Sequence, residues 1–116
     1  MSDATPSSAG AGLDGGDAVL RAAKDLGADY IFSSAGSEWA PVWEALARRD
    51  AAGPTAGGAG PTAGGPRYLD LTHETLAVAM ATGYASVTGR GQFVLLHAAA
   101  GLLQGANAIQ IGRAHV

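Results

Sequence analysis

Apolar residues fall along the chain in short blocks whose spacing alternates between helical and extended. Val19, Leu20, Ala23 and Leu26 recur at helical intervals, with Asp17 placed to cap such a helix and Gly27 to stop it. Tyr30-Ile31-Phe32 is a compact apolar run leading into Ser33-Ser34-Ala35-Gly36-Ser37, the pattern of a buried parallel strand that ends in a turn. The spacing then predicts a second helix with a core face of Trp39, Val42, Trp43 and Leu46, capped by Ser37. Pro41 is tolerable there only within the first turn. Tyr68-Leu69-Asp70-Leu71 reads as a strand. Glu74 to Val87 reads as a helix with Leu76, Met80, Tyr84 and Val87 on one face and Ala77, Ala81 and Ala85 as a second, small-residue stripe. Gly89-Arg90-Gly91 turns the chain, Phe93 to Leu96 is a third strand, and a last helix runs from about Gly101 through Ile109. Three strands alternating with helices predict an α/β fold, a parallel sheet with flanking helices joined by right-handed crossovers. A complete doubly wound domain has more strands, so the expected unit, residues 17–110, is an incomplete, flavodoxin-like one.

Three segments stand outside this pattern. Residues 1–16, MSDATPSSAGAGLDGG, offer almost nothing to bury and are expected to be a disordered tail. Residues 51–66 contain a near-duplication, Gly53-Pro-Thr-Ala-Gly-Gly58 and Gly60-Pro-Thr-Ala-Gly-Gly65, which reads as a low-complexity loop between helix and strand. The last six residues can be encoded by ATC GGA AGA GCA CAC GTC, which resembles the opening of a common short-read sequencing adapter in frame. Residues 111–116 are therefore expected to be a non-native tail.

Composition narrows the function classes. With 116 residues the chain has room for one domain at most. It is 47% hydrophobic and 15% charged, enough for a core, while eighteen glycines and seven aromatics point to thin packing. A net charge of -3 without clustered Lys or Arg argues against a nucleic-acid partner. The absence of cysteine removes disulfides and thiolate metal sites, and no metal site is expected from the three histidines. No apolar run is long enough to span a membrane and no secretory signal opens the chain, so a cytoplasmic setting is expected.

The chemistry concentrates around Glu74, which sits at a strand-to-helix junction, the kind of crevice where parallel sheets bind ligands. In the first turn it also simply complements the helix dipole. An Ala/Gly-rich helix with almost no other charge follows it, which points to partial burial, where a carboxyl can share a proton with a ring nitrogen. His97 ends the third strand and faces the same crevice, as a proton-transfer group or as a hydrogen-bonded structural residue. Ser37 is a helix cap or a ligand contact. His73 reads as structural, Asp70 as a surface residue, and Trp39 and Trp43 as core or interface. Neither a phosphate-binding glycine loop nor a Gly-x-Ser-x-Gly elbow occurs.

From about Asp17 to Ile109 the chain resembles the pyrimidine-binding domain of thiamine diphosphate-dependent enzymes, the group of acetolactate synthase, pyruvate decarboxylase and benzoylformate decarboxylase. Three segments carry the resemblance: Gly27-Ala-Asp-Tyr-Ile-Phe-Ser-Ser-Ala-Gly-Ser37; His73-Glu74 with Gly83-Tyr84-Ala85 and Thr88-Gly89; and Leu96-His-Ala-Ala-Ala-Gly101. The resemblance implies that Glu74 hydrogen-bonds the aminopyrimidine of the cofactor and drives the tautomer that deprotonates the thiazolium carbon, which then attacks a 2-oxo acid. It further implies, by similarity to benzoylformate decarboxylase, that His97 relays protons and that Ser37 contacts the substrate carboxylate. Mg²⁺ and the cofactor diphosphate would lie in a separate C-terminal domain, so the 116-residue chain is expected to be inactive alone and to work as a decarboxylase or carboligase in a full-length homodimer or homotetramer. Ala35 and Gln104 depart from the proline and asparagine usual in the family, and the duplicated loop is not a family feature. The rival expectation is a non-catalytic flavodoxin-like α/β binding module.

Overall fold

A computed structural model describes residues 14–53 and 64–114. Most of the expected tail, most of the duplicated loop, and His115 with Val116 lie outside the described residues. The elements run α1 (Gly15–Asp25), β1 (Tyr30–Ser34), a 3₁₀ turn (Ser37–Trp39), α2 (Ala40–Ala51), β2 (Arg67–Asp70), α3 (Glu74–Thr88), β3 (Phe93–Leu96) and α4 (Ala100–Ala114). The three strands form one parallel sheet in the order β2-β1-β3, with Phe32 beside both Leu69 and Val94. The α/β architecture with flanking helices is the one the alternating pattern predicts.

Each sheet face has its own core. Alternation along β1 sends Ile31 to one face, where it packs with Leu20 and Ala23 of α1, Val42, Ala45 and Leu46 of α2, and Leu95. Phe32 goes to the other face and meets Ala77 and Ala81 of α3. Gly27 and Gly89, with φ of 74° and 71°, turn the chain out of α1 and α3 in the left-handed region that glycine enters without strain.

Several boundaries and faces differ from expectation. The first helix begins at Gly15, capped by Asp14, whose Oδ1 accepts from Asp17 N at 2.8 Å; Asp17 lies in the first turn instead of at the cap. Asp14 and Asp17 both pair with Arg48 of α2, at 2.6 and 3.1 Å, which draws the start of the helix into the fold. Residues 14–16 are thus part of the folded unit, and Gly16 is buried where any β-carbon would collide with the Pro41 carbonyl. Ser37 does not cap α2: it opens the 3₁₀ turn, and α2 starts after Trp39 with Pro41 in its first turn, as its missing N–H requires. Trp43 lies at the rim, 37% exposed, its Nε1 donating to Tyr68 Oη at 2.7 Å; Ala45 takes the buried place. The loop after α2 is anchored at its far end by Pro66, which is fully buried and whose carbonyl accepts from Arg49 Nη1 at 2.8 Å. The last helix runs unbroken from Ala100 to Ala114, across the expected boundary at residue 110.

The largest departure is in α3. Of the larger apolar residues predicted on one face, Tyr84 packs on the Phe32 cluster while the others stay exposed. Leu76, Met80 and Val87 are 43%, 38% and 88% exposed, whereas Ala77, Val78 and Ala81 are buried. The small residues let α3 lie close on Phe32, and Met80 and Val87 border an open apolar groove of about 580 Å³ with Tyr30, Phe32, Leu69 and Tyr84. At the entrance to β1, Asp29 is 1% exposed and accepts from Arg90 Nη2 at 2.5 Å and Tyr84 Oη at 3.0 Å; its Oδ1 is buried without a hydrogen-bond partner among the described residues. Burial, and then the bond to Asp29, push the Tyr84 phenol up from its ordinary value.

Two outcomes follow from this packing. Ala77→Leu is expected to destabilise the chain by about 1–3 kcal/mol through overpacking, and Leu76→Ala by less than about 1 kcal/mol, as surface substitutions do. Denaturant titration that reversed this order would return the core face to Leu76. Arg90→Ala leaves the buried Asp29 carboxylate without its counter-charge and should cost about 3 kcal/mol. Arg21→Ala, which breaks only the exposed pair with Asp25, should cost under about 1 kcal/mol. Equal shifts in unfolding midpoint for the two variants would rule out the buried pair as a stabilising feature.

Candidate functional site

The strand order places a crevice. From β1 the chain crosses to β2 on one side, then returns past β1 to β3 on the other, so the connections after β1 and β3 diverge to opposite faces. At such a switch point the carboxyl ends of parallel strands leave an opening for a ligand. The register sets Ser34 beside Leu96, and His97 N donates to Ser34 O at 3.0 Å, so the segments leaving the two strands start side by side.

What fills this opening is Glu38. Its carboxylate meets His97 Nδ1 at 2.8 and 2.9 Å and accepts from Ala98 N at 2.8 Å, while Trp39 Nε1 donates to Leu96 O at 2.9 Å. Two consecutive side chains of the 3₁₀ turn therefore tie the exit of β1 to the exit of β3. Gly36 makes this possible, since a β-carbon there would clash with His97 Nδ1 and stand 2.5 Å from Glu38 Oε2. The hydrogen bond from His97, with smaller help from the backbone N–H groups of Glu38 and Ala98, outweighs desolvation and holds the Glu38 carboxyl down to about 2. The turn also holds Ala99 at φ 51°, a left-handed conformation for a residue with a β-carbon, which costs about 1 kcal/mol.

Glu74 is the first residue of α3 and half-buried. Gly101, in the first turn of α4, lies against it: a β-carbon there would sit 2.9 Å from His97 Cβ, 3.1 Å from Glu74 Oε1 and 3.2 Å from Glu74 Cγ. The helices α3 and α4 are further joined by Thr75 Oγ1 donating to Gln104 O at 2.7 Å and by Gly105, which receives Leu96 and Val78 side chains. His73 caps α3, its Nδ1 accepting from Thr75 N at 3.1 Å.

Of the residues singled out from sequence, Glu74 and His97 thus border one glycine, and Ser37 adjoins the turn residue that holds His97. Ser37 is exposed, and Asp70 is exposed at the end of β2. Sequence reasoning passed over Glu38. The only sequence signal was an acid directly after Ser37, and its meaning depends on β3 lying next to β1. Among the described residues no three His, Asp or Glu side chains cluster as a metal site, and no helix is long and apolar enough to cross a membrane.

Glu38 makes stability pH-dependent in one direction. Its folded-state value lies below the unfolded one of 4.5, so its contribution is present above pH 4.5 and is lost as pH falls through about 2. Unfolding midpoints measured from pH 5 to pH 2 should fall less steeply for Glu38→Gln than for the unmodified chain. Parallel slopes would show that Glu38 is not tied down.

No curated protein and no solved structure matches the chain. A family model does, over residues 13–114: thiamine pyrophosphate enzyme, N-terminal TPP binding domain. That span takes in all three strands, Glu38, Glu74 and His97. The chain belongs to the family of thiamine pyrophosphate enzyme N-terminal TPP binding domains.

Proposed function

We propose that the chain forms the pyrimidine side of a thiamine diphosphate site in an enzyme that decarboxylates or ligates 2-oxo acids. The observation that carries this reading is the half-buried Glu74 at the start of α3, packed against the bare backbone of Gly101 beside His97 at the carboxyl ends of the strands. An aminopyrimidine needs a carboxyl at its edge to exchange a proton with a ring nitrogen. A flavodoxin-like binding module has no use for this carboxyl. When bound, with Mg²⁺ on its diphosphate in a further domain, the cofactor supplies a nucleophilic thiazolium carbon.

The residues of this chain have separable tasks in that reading. Glu74 holds the proton shared with the pyrimidine ring. His97, with its side chain 52% exposed at the crevice, moves protons to and from the reacting 2-oxo acid. The Ser37 hydroxyl donates to the substrate carboxylate. The exposed Leu76, Met80 and Val87 of α3 suit a homodimer or homotetramer, in which they would be covered by a second copy.

The test uses the 116-residue chain and 4-amino-5-hydroxymethyl-2-methylpyrimidine, the pyrimidine half of the cofactor. Weak binding, with Kd about 1 mM, is expected to shift the amide resonances of Glu74, Thr75 and Gly101. Glu74→Gln, which keeps size and hydrogen bonding but not the titrating proton, should weaken it about tenfold. Shifts confined to other parts of the chain, or unchanged affinity in Glu74→Gln, would remove the basis for the assignment.

A further inference from the structure

The two histidines near the crevice are held by groups of opposite character. Next to His73 Nδ1 is a donor, the Thr75 N–H, so the lone pair of the neutral ring is on Nδ1 and its proton on Nε2. Next to His97 Nδ1 are both oxygens of Glu38, at 2.8 and 2.9 Å, and a carboxylate offers no proton above its own titration. The Glu38 carboxylate is itself fixed by the Ala98 N–H at 2.8 Å, and Gly36, having no β-carbon, lets the His97 ring reach it. We infer that Glu38 is a positioning residue that keeps the His97 proton on Nδ1 and thereby presents Nε2 as the proton acceptor of the crevice.

The chemistry gives this arrangement a use. A free neutral imidazole prefers its proton on Nε2, which would place a donor where a base is needed; a carboxylate at Nδ1 reverses the preference and strengthens the opposite nitrogen as a base. Glu38 touches neither Glu74 nor the space beside Gly101, so its effect on any reaction passes through His97. That last step rests on the proposed function, whereas the tautomer does not. Glu74 is the other titratable group that borders Gly101 with His97.

The experiment is a long-range ¹H–¹⁵N spectrum of the 116-residue chain labelled at histidine, taken about two pH units above the ordinary imidazole value of about 6.5. His97 is expected as the Nδ1–H form and His73 in the same spectrum as the Nε2–H form. Glu38→Ala should convert His97 to the Nε2–H form and leave His73 unchanged. Modification by diethyl pyrocarbonate, which needs a nitrogen lone pair, supplies a readout that a merely structural role would not move. In Glu38→Gln the amide oxygen still accepts from Nδ1–H, so the tautomer should persist, but Nε2 should react several-fold more slowly without the negative charge. This variant decides the matter if Glu38→Ala does not fold. An Nε2–H form of His97 in the unmodified chain, or an unchanged reaction rate in Glu38→Gln, overturns the inference. Either result leaves pyrimidine binding at Glu74 untouched, and loss of that binding leaves the tautomer untouched, so the two failures can be told apart.

Discussion

The site depends on the absence of side chains at the places where its elements touch. At Gly101 a methyl group would press on both Glu74 and His97; at Gly36 it would drive into the His97 ring; at Gly105 it would meet Leu96 and Val78. Interiors are packed closely enough that one added carbon is felt, so these positions set how near α4 comes to α3 and how near the turn after β1 comes to the end of β3. The same constraint acts away from the crevice. Gly16 lets α1 touch the backbone of α2 at Pro41, and Ala77 and Ala81 let α3 settle on Phe32. Eighteen glycines and few aromatics, which read as thin packing in composition, are in part the means of close approach.

Close approach on one side of α3 leaves its larger side chains on the other. Leu76, Met80 and Val87 stay exposed, and Leu102, Leu103, Ile109 and Ile111 of α4 are exposed in the same way. Among the described residues β2 and β3 each pair on one side only, whereas parallel sheets are ordinarily covered on both faces and extended by further strands. Glu38, Glu74 and His97 thus stand on a sheet whose outer strands each pair on one side only among the described residues. The pieces that fix the crevice are local: one hydrogen bond between adjacent strand ends, two side chains of one turn, and one glycine contact.

How much of this could be read in the sequence follows from what each feature depends on. The strands and the junction at Glu74 depend on runs of three or four apolar residues and a change of period, which are visible without a partner. The sequence shows two apolar stripes on α3 without saying which one is buried; the sheet selected Ala77 and Ala81, and only the distance between layers explains why. Ser37 as cap of α2 failed for a local reason, a 3₁₀ turn inserted before Pro41. Asp14 was hidden because a cap followed by two glycines looks like linker until Arg48 arrives from α2. Glu38 was hidden more deeply. Nothing near it in sequence marks it, and its partner lies 59 positions away.

The crevice thus carries two carboxylates in unlike surroundings, and that difference separates their work. Glu38 accepts from a ring nitrogen and a backbone N–H, which stabilise its charged form down to about pH 2. It stays ionised throughout the range in which an imidazole titrates, so it can orient a base without competing for its proton. Glu74 faces the bare backbone of Gly101 at the start of a helix, a place from which a carboxyl can give and take a proton with whatever enters. In the proposed function the two are not interchangeable: the group in the turn has to keep its charge to hold the His97 tautomer, and the group on the helix has to return a proton to a ring nitrogen. In that reading the fixed charge therefore belongs to the turn after β1 and the exchangeable proton to the helix after β2, with His97 just past the strand that the parallel register brings alongside β1.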